Sequence, residues 1–165
     1  MEKLDTIEYF LTYEEFQNSM LSAQAITWEK MKKFNSLEEC LEAVKKDGNS
    51  LRYVPSKWTN ASVCMAAVKR DGWALAFVPE FLKTTEICME AVKRHAHALI
   101  YVPLELIDKK ICMEAVRGNW RTLEYVPKKL KTDAMCMEAM KQNRAAAEFV
   151  PITLAVKISR KIDFC

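Results

Sequence analysis

The sequence predicts an all-α fold, a right-handed α-solenoid of five 24-residue two-helix repeats with a capping helix at each end. Three observations predict it. Cys40, Cys64, Cys88, Cys112 and Cys136 stand 24 residues apart. Pro55, Pro79, Pro103, Pro127 and Pro151, which are all the prolines of the chain, keep the same step. Between these markers other columns stay constant. Three residues after each cysteine comes Ala43, Ala67, Ala91, Ala115 or Ala139, then Val44, Val68, Val92, Val116 or Met140. Each proline follows an aromatic–valine pair, from Tyr53–Val54 to Phe149–Val150. A fixed period of this length marks a repeat architecture, in which each unit leaves an apolar face for its neighbour to cover.

Residues 1–35 are expected to form an N-terminal helical cap. Residues 12–35 keep the register for one more period, with Thr12 at the helix-start position and Glu15 three residues on, but lack the cysteine and proline. The copies then occupy 36–59, 60–83, 84–107, 108–131 and 132–155, and open on Ser36, Asn60, Thr84, Asp108 and Thr132. Each of these side chains can accept a hydrogen bond from an orphan N–H of a first helical turn. Glu39 completes a capping box in the first copy. The first helix, TTEICMEAVKRH in the third copy, has a broad apolar arc of Ile87, Cys88, Met89, Ala91 and Val92, with Glu90 and Lys93 opposite. Such breadth suits a helix sandwiched between neighbours. A turn marked by Gly48 and Gly72 leads to a second, shorter helix carrying Leu75 and Phe77 or their equivalents inward. That helix must stop at the valine, because a residue before proline is pushed out of the helical region. The proline starts a tight turn with an inward Trp58, Leu82, Leu106, Leu130 or Leu154. Residues 156–165, with Lys157, Arg160 and Lys161 among apolar residues, suit an amphipathic C-terminal capping helix.

The units ICMEAVK and ALIYVP, at 87–93 and 98–103, resemble tandem helical repeats of bacteria and some viruses that are grouped only as a domain of unknown function. The resemblance spans the five copies and departs where the usual glycine becomes Ala96, Trp120 or Arg144. It implies a helical repeat and brings no catalytic residue.

Composition agrees with a globular protein: half the residues are hydrophobic and 28% are charged, with three glycines and five prolines. The charged N-terminus MEKLDTIEYF is unlike a signal peptide, and no apolar run reaches the roughly 18–20 residues of a membrane span. A soluble, cytoplasmic protein with no membrane partner is expected. The net charge of +3 is uneven, with seven basic and three acidic residues in 108–131, which hints at an acidic partner there.

The cysteines lack the closely spaced pairs of a zinc site and read as small buried hydrophobes, which also places them in a reducing compartment. Cys165 is out of phase and is the expected reactive thiol. His95 and His97 read as solvated turn residues rather than metal ligands. No phosphate loop or catalytic triad can be assembled, so no enzyme, cofactor, metal or small-molecule substrate is expected. Lys45, Lys69, Lys93, Arg117 and Lys141 form a basic column. One reading makes it a ladder for phosphates, with Lys69, Arg70, Lys109, Lys110, Arg117, Lys128 and Lys129 as contacts. The other makes it a solvated face, complementing helix C-termini and pairing with Glu42, Glu90, Glu114 and Glu138 three residues earlier.

The inter-helix turns are where the copies differ: DGN, DGW, HAH, NWR and NRA. Trp73, His97, Trp120 and Arg121 there, with Phe81 in a proline turn, are the candidate partner-binding residues, being largely of types enriched in interface hot spots. The alternative is that each tryptophan tucks over its own repeat's edge. The expected function is a non-enzymatic scaffold binding another protein, as an adaptor or a small standalone inhibitor of a larger machine. The alternative is a helical repeat that binds RNA or single-stranded nucleic acid.

Overall fold

The computed structural model describes residues 34–152 and 154, all within the second of two compact units, Phe34–Cys165. The expected N-terminal cap with Thr12 and Glu15, except for Phe34 and Asn35, lies outside the described residues. So do the closing helix and Cys165.

Among the described residues, five ten-residue α-helices recur at the predicted step: α1 Leu37–Lys46, α2 Ala61–Arg70, α3 Thr85–Arg94, α4 Lys109–Gly118 and α5 Asp133–Gln142. Each begins where the sequence places it. Ser36, Thr84, Asp108 and Thr132 each accept from the N–H three residues on, and Asn60 accepts from Ser62 and Val63. Losing such a cap costs about 1 kcal/mol. The capping box closes one residue early, since Glu39 Oε2 accepts from Asn35 N–H at 3.0 Å rather than from Ser36.

Every helix ends when the next residue, Asp47, Asp71, His95, Asn119 or Asn143, turns extended while its N–H still donates to the alanine four residues back. The next element, the expected shorter helix, is of the 3-10 type: Gly48–Tyr53, Gly72–Phe77, Ala96–Tyr101, Trp120–Leu123 and Arg144–Phe149. The chain has too few residues before the proline for a stable α-helix, so the tighter i→i+3 pattern takes over. After the proline comes another 3-10 turn, Glu80–Leu82, Leu104–Leu106 or Lys128–Leu130 in the second, third and fourth copies. Trp58 N–H closes the first copy's turn onto Pro55 O at 2.9 Å.

The helices stack on one another, as do the 3-10 segments; each 3-10 segment rests against its own helix and, in the first four copies, against that of the next copy. The core runs through the whole array. The cysteine column and Ala67, Ala91, Ala115, Ala139, Val44, Val68, Val92 and Val116 are buried, and so are Leu51, Leu75, Leu99 and Leu123 of the 3-10 segments. Each buried leucine or valine side chain contributes roughly 1.5–3 kcal/mol. The leucines after the prolines, and Trp58, are half-buried against this core.

The glycines serve close approach rather than an unusual backbone, because no described residue has positive φ. A Cβ on Gly48 would stand 2.6 Å from Ala67 O, and one on Gly72 would stand 2.4 Å from Ala91 O. The third copy breaks the pattern with Ala96, and the fourth answers with Gly118 where earlier copies have Lys46, Arg70 and Arg94. A Cβ on Gly118 would meet Ala96 Cβ at 2.9 Å. The missing methyl has moved from one side of the junction to the other.

Candidate functional site

In four of the five copies the first turn of the 3-10 segment is shaped by the residue just before it, outside the constant columns. Oδ1 of Asp47, Asp71, Asn119 and Asn143 accepts from the N–H of Asn49, Trp73, Arg121 and Ala145, respectively. An Asp or Asn two residues before a variable position is the signal that could have found them. His95 holds this position in the third copy and caps nothing in its own segment. Instead it reaches the second copy, where its Nδ1 lies 3.2 Å from the Gly72 N–H and 3.2 Å from Asp71 Oδ1. As an acceptor Nδ1 satisfies Gly72; protonated, it pairs with Asp71.

Junctions between copies are also bridged by side chains. Asn49 Nδ2 donates to Asp71 Oδ2 at 3.0 Å, and Arg70 Nε donates to Lys46 O at 3.0 Å. Gln142 Nε2 donates to Val116 O and Arg117 O, while its Oε1 accepts from Trp120 N–H at 2.9 Å. Thus carbonyls left unpaired at the ends of α1 and α4 are taken up by the following copy. Lys83 and Lys131 act on the other side. Their ammonium groups cap Tyr101 O and Phe149 O, each at 2.9 Å, and burial lowers the Lys131 pKa.

Rings line the same junctions. Trp73 stacks against His95 and His97, with centroids 5.9 and 6.5 Å apart, and meets Tyr101 edge-on at 6.0 Å. His97 in turn meets Tyr125 edge-on at 6.3 Å. Trp120 lies 6.3 Å from Phe149, and the Arg121 guanidinium sits 4.7 Å over the Trp120 ring. Arg52 lies over Tyr53 and Phe77. Each of these two tryptophans therefore covers the next copy's edge, not its own. His97 is a half-buried link between rings rather than a solvated turn residue.

The structure divides the sequence-predicted site residues into two groups. Trp73, His97, Trp120 and Arg121 lie on the 3-10 segments, and Lys69, Arg70 and Arg117 occupy the helix ends that feed them. Phe81, Lys128 and Lys129 lie in proline turns, while Lys109 and Lys110 are in the first turn of α4. Those four lysines and Phe81 thus belong to the opposite end of the helices, where Phe81 and Leu104 are 84% and 77% exposed. The expected pairs three residues apart do not form. Among the described residues the basic column makes no ion pair, and Glu90 meets Arg94 instead, at 3.7 Å. The i,i+4 spacing suits the longer arginine side chain.

The five described thiols are free and buried. Burial pushes Cys64, Cys88 and Cys112 up to about 11 and raises Cys40 and Cys136, so none is poised as a nucleophile. Among the described residues, no three His, Cys, Asp or Glu side chains converge as a metal site would require, and no helix is long and apolar enough to cross a membrane. A shallow, open depression of about 510 Å³ lies between α2 and α3, where Ala61, Ser62 and Ala66 leave room beside Lys69.

The family model described as Domain of unknown function (DUF4116) matches residues 38–83, 60–107 and 84–131 in three overlapping windows. The chain belongs to this family. Each DUF4116 window spans two 24-residue copies, and successive windows advance by about one copy, so the family unit contains a complete junction. No curated protein and no solved structure matches the chain. The DUF4116 array therefore has to be read from its own junctions and faces.

Proposed function

We propose that this chain is a non-enzymatic scaffold that binds another protein through its 3-10 face, as an adaptor or as a small inhibitor of a larger assembly. The observation that carries this reading is the fixed placement of Trp73 and Trp120. Both are half-buried, both are braced by rings of the following copy, and both stand on the row where the copies differ. Aromatic anchors held rigid before binding lose little conformational entropy on contact, and hot spots are commonly of this kind. Five buried free thiols suit a reducing, cytoplasmic setting.

Affinity capture from host extract, with and without nuclease, tests the reading. A nuclease-resistant protein partner lost at least tenfold by Trp73→Ala or Trp120→Ala is expected. Capture unchanged by both substitutions would refute this placement of the site. A second reading, RNA or single-stranded nucleic acid binding, is favoured by the basic column, whose five cations are exposed and make no ion pair among the described residues. Its mark is affinity for mixed-sequence RNA that falls steeply with salt.

A further inference from the structure

The cations of this array are sorted by type. The five stretches from the last helical turn through the 3-10 segment, 45–53, 69–77, 93–101, 117–125 and 141–149, contain six of the chain's seven arginines. They carry eleven basic side chains against four acidic ones, although the whole chain has a net charge of only +3. The remainder of the chain is therefore net acidic, and the positive charge is concentrated in the segments that also carry Trp73 and Trp120. Arginine is the cation that grips a carboxylate through two parallel N–H bonds and lies flat on aromatic rings. Arg121 already lies on Trp120. Two of the four acidic groups are committed internally: Asp47 to the Asn49 N–H, and Asp71 to Trp73, Asn49 and His95.

Resting on the protein-binding reading, we infer that the partner presents an extended acidic segment, its carboxylates gripped along consecutive copies by Arg117, Arg121 and Arg144 and, in exchange for Glu90, by Arg94. A polypeptide suits this face better than a nucleic acid strand does. Stacking on bases needs open ring faces, and here Trp73 is stacked by two imidazoles and Trp120 by a guanidinium. A strand also carries a charge on every nucleotide and must pass the exposed Glu124 and Glu148, whereas a peptide can place neutral residues opposite them.

The test compares a fluorescent ten-residue peptide alternating glutamate and serine (the glutamate peptide) with a ten-residue peptide alternating lysine and serine and with decauridylate RNA, by anisotropy across a salt series. Two variants remove equal charge: R94Q/R117Q/R121Q/R144Q on the 3-10 face, and K109Q/K110Q/K128Q/K129Q at the opposite helix ends. All eight positions are exposed, and circular dichroism checks that both variants remain folded. The glutamate peptide should bind, should lose affinity with salt, and should lose at least tenfold in the arginine variant but less than threefold in the lysine variant. Equal losses would reduce the effect to net charge and overturn the inference. Tighter binding of the RNA, or no binding of the glutamate peptide at low salt, would overturn it too. A captured protein that needs Trp73 but ignores the arginine substitutions would leave the scaffold standing and remove only the acidic partner.

Discussion

The helices and the 3-10 segments of this array handle repetition differently. In α1 to α5 the cap, the cysteine and the alanine recur at fixed positions with the same kinds of bond, and the cysteine is buried in every copy. In the 3-10 segments of the first four copies a leucine is kept at the centre, but the residue before the segment runs from a capping aspartate through a non-capping His95 to a capping asparagine, and the exposed residues differ in every copy. Variation in the second layer is answered across the junction: Gln142 answers Trp120, His97 answers Trp73, and Gly118 answers Ala96. One layer holds stability in common, while the other makes each junction particular.

The largest expected effect tests the common layer. Thiols held up at about 11 in the fold, against an ordinary 9.0, favour the folded state fully below about pH 9. That contribution is lost as pH rises toward 11, because the unfolded chain ionises first. With about 1.4 kcal/mol per pKa unit, Cys64, Cys88 and Cys112 together should remove several kcal/mol. Urea titrations at pH 8 and pH 10.5 measure the fall. If the triple alanine variant falls just as steeply, the buried column is not its cause.

Gly72→Ala should come next, at about 2–3 kcal/mol, because the added methyl meets backbone atoms of α3 that can yield only by parting the second and third copies. A loss below about 0.5 kcal/mol in thermal or urea unfolding would mean that this contact is slack. Gly118→Ala should cost about 1–2 kcal/mol, and adding Ala96→Gly should restore most of it. A double-mutant cycle with no coupling would sink the exchange of methyl groups across that junction. Smallest is Lys93→Ala, which should change stability by less than about 0.5 kcal/mol, because Lys93 is exposed and makes no ion pair among the described residues. A larger loss would give the basic column a structural role.

The helix layer is legible in the sequence, since its periodic caps and apolar positions lie within one copy and a local pattern reports them. Ser36, Asn60, Thr84, Asp108 and Thr132 cap as expected for this reason. The 3-10 segments are less legible. Six residues are too few for a period to distinguish 3-10 from α, so the sequence shows a second, shorter helix but not that it is of the tighter type. The braces around Trp73 are hidden for another reason. His95, His97 and Tyr101 are more than twenty residues away in sequence, and stacking across a junction leaves no trace in either copy alone. The pairing of Glu90 with Lys93 fails because the longer Arg94 is available one residue on.

The methyl exchanged between Ala96 and Gly118 also bears on how such an array can be edited. Gly118 makes room for the Ala96 methyl, so the third and fourth copies fit as a matched pair. Joining the third copy directly to another third copy would place Arg94 where Gly118 now makes room. Deleting the third copy, or a unit spanning the third and fourth together, would instead create junctions that begin at a glycine. Lengthening a chain of this kind by repeating the third copy therefore turns on one carbon atom, which shortening it does not meet, and in either case the spacing between cysteines would remain 24.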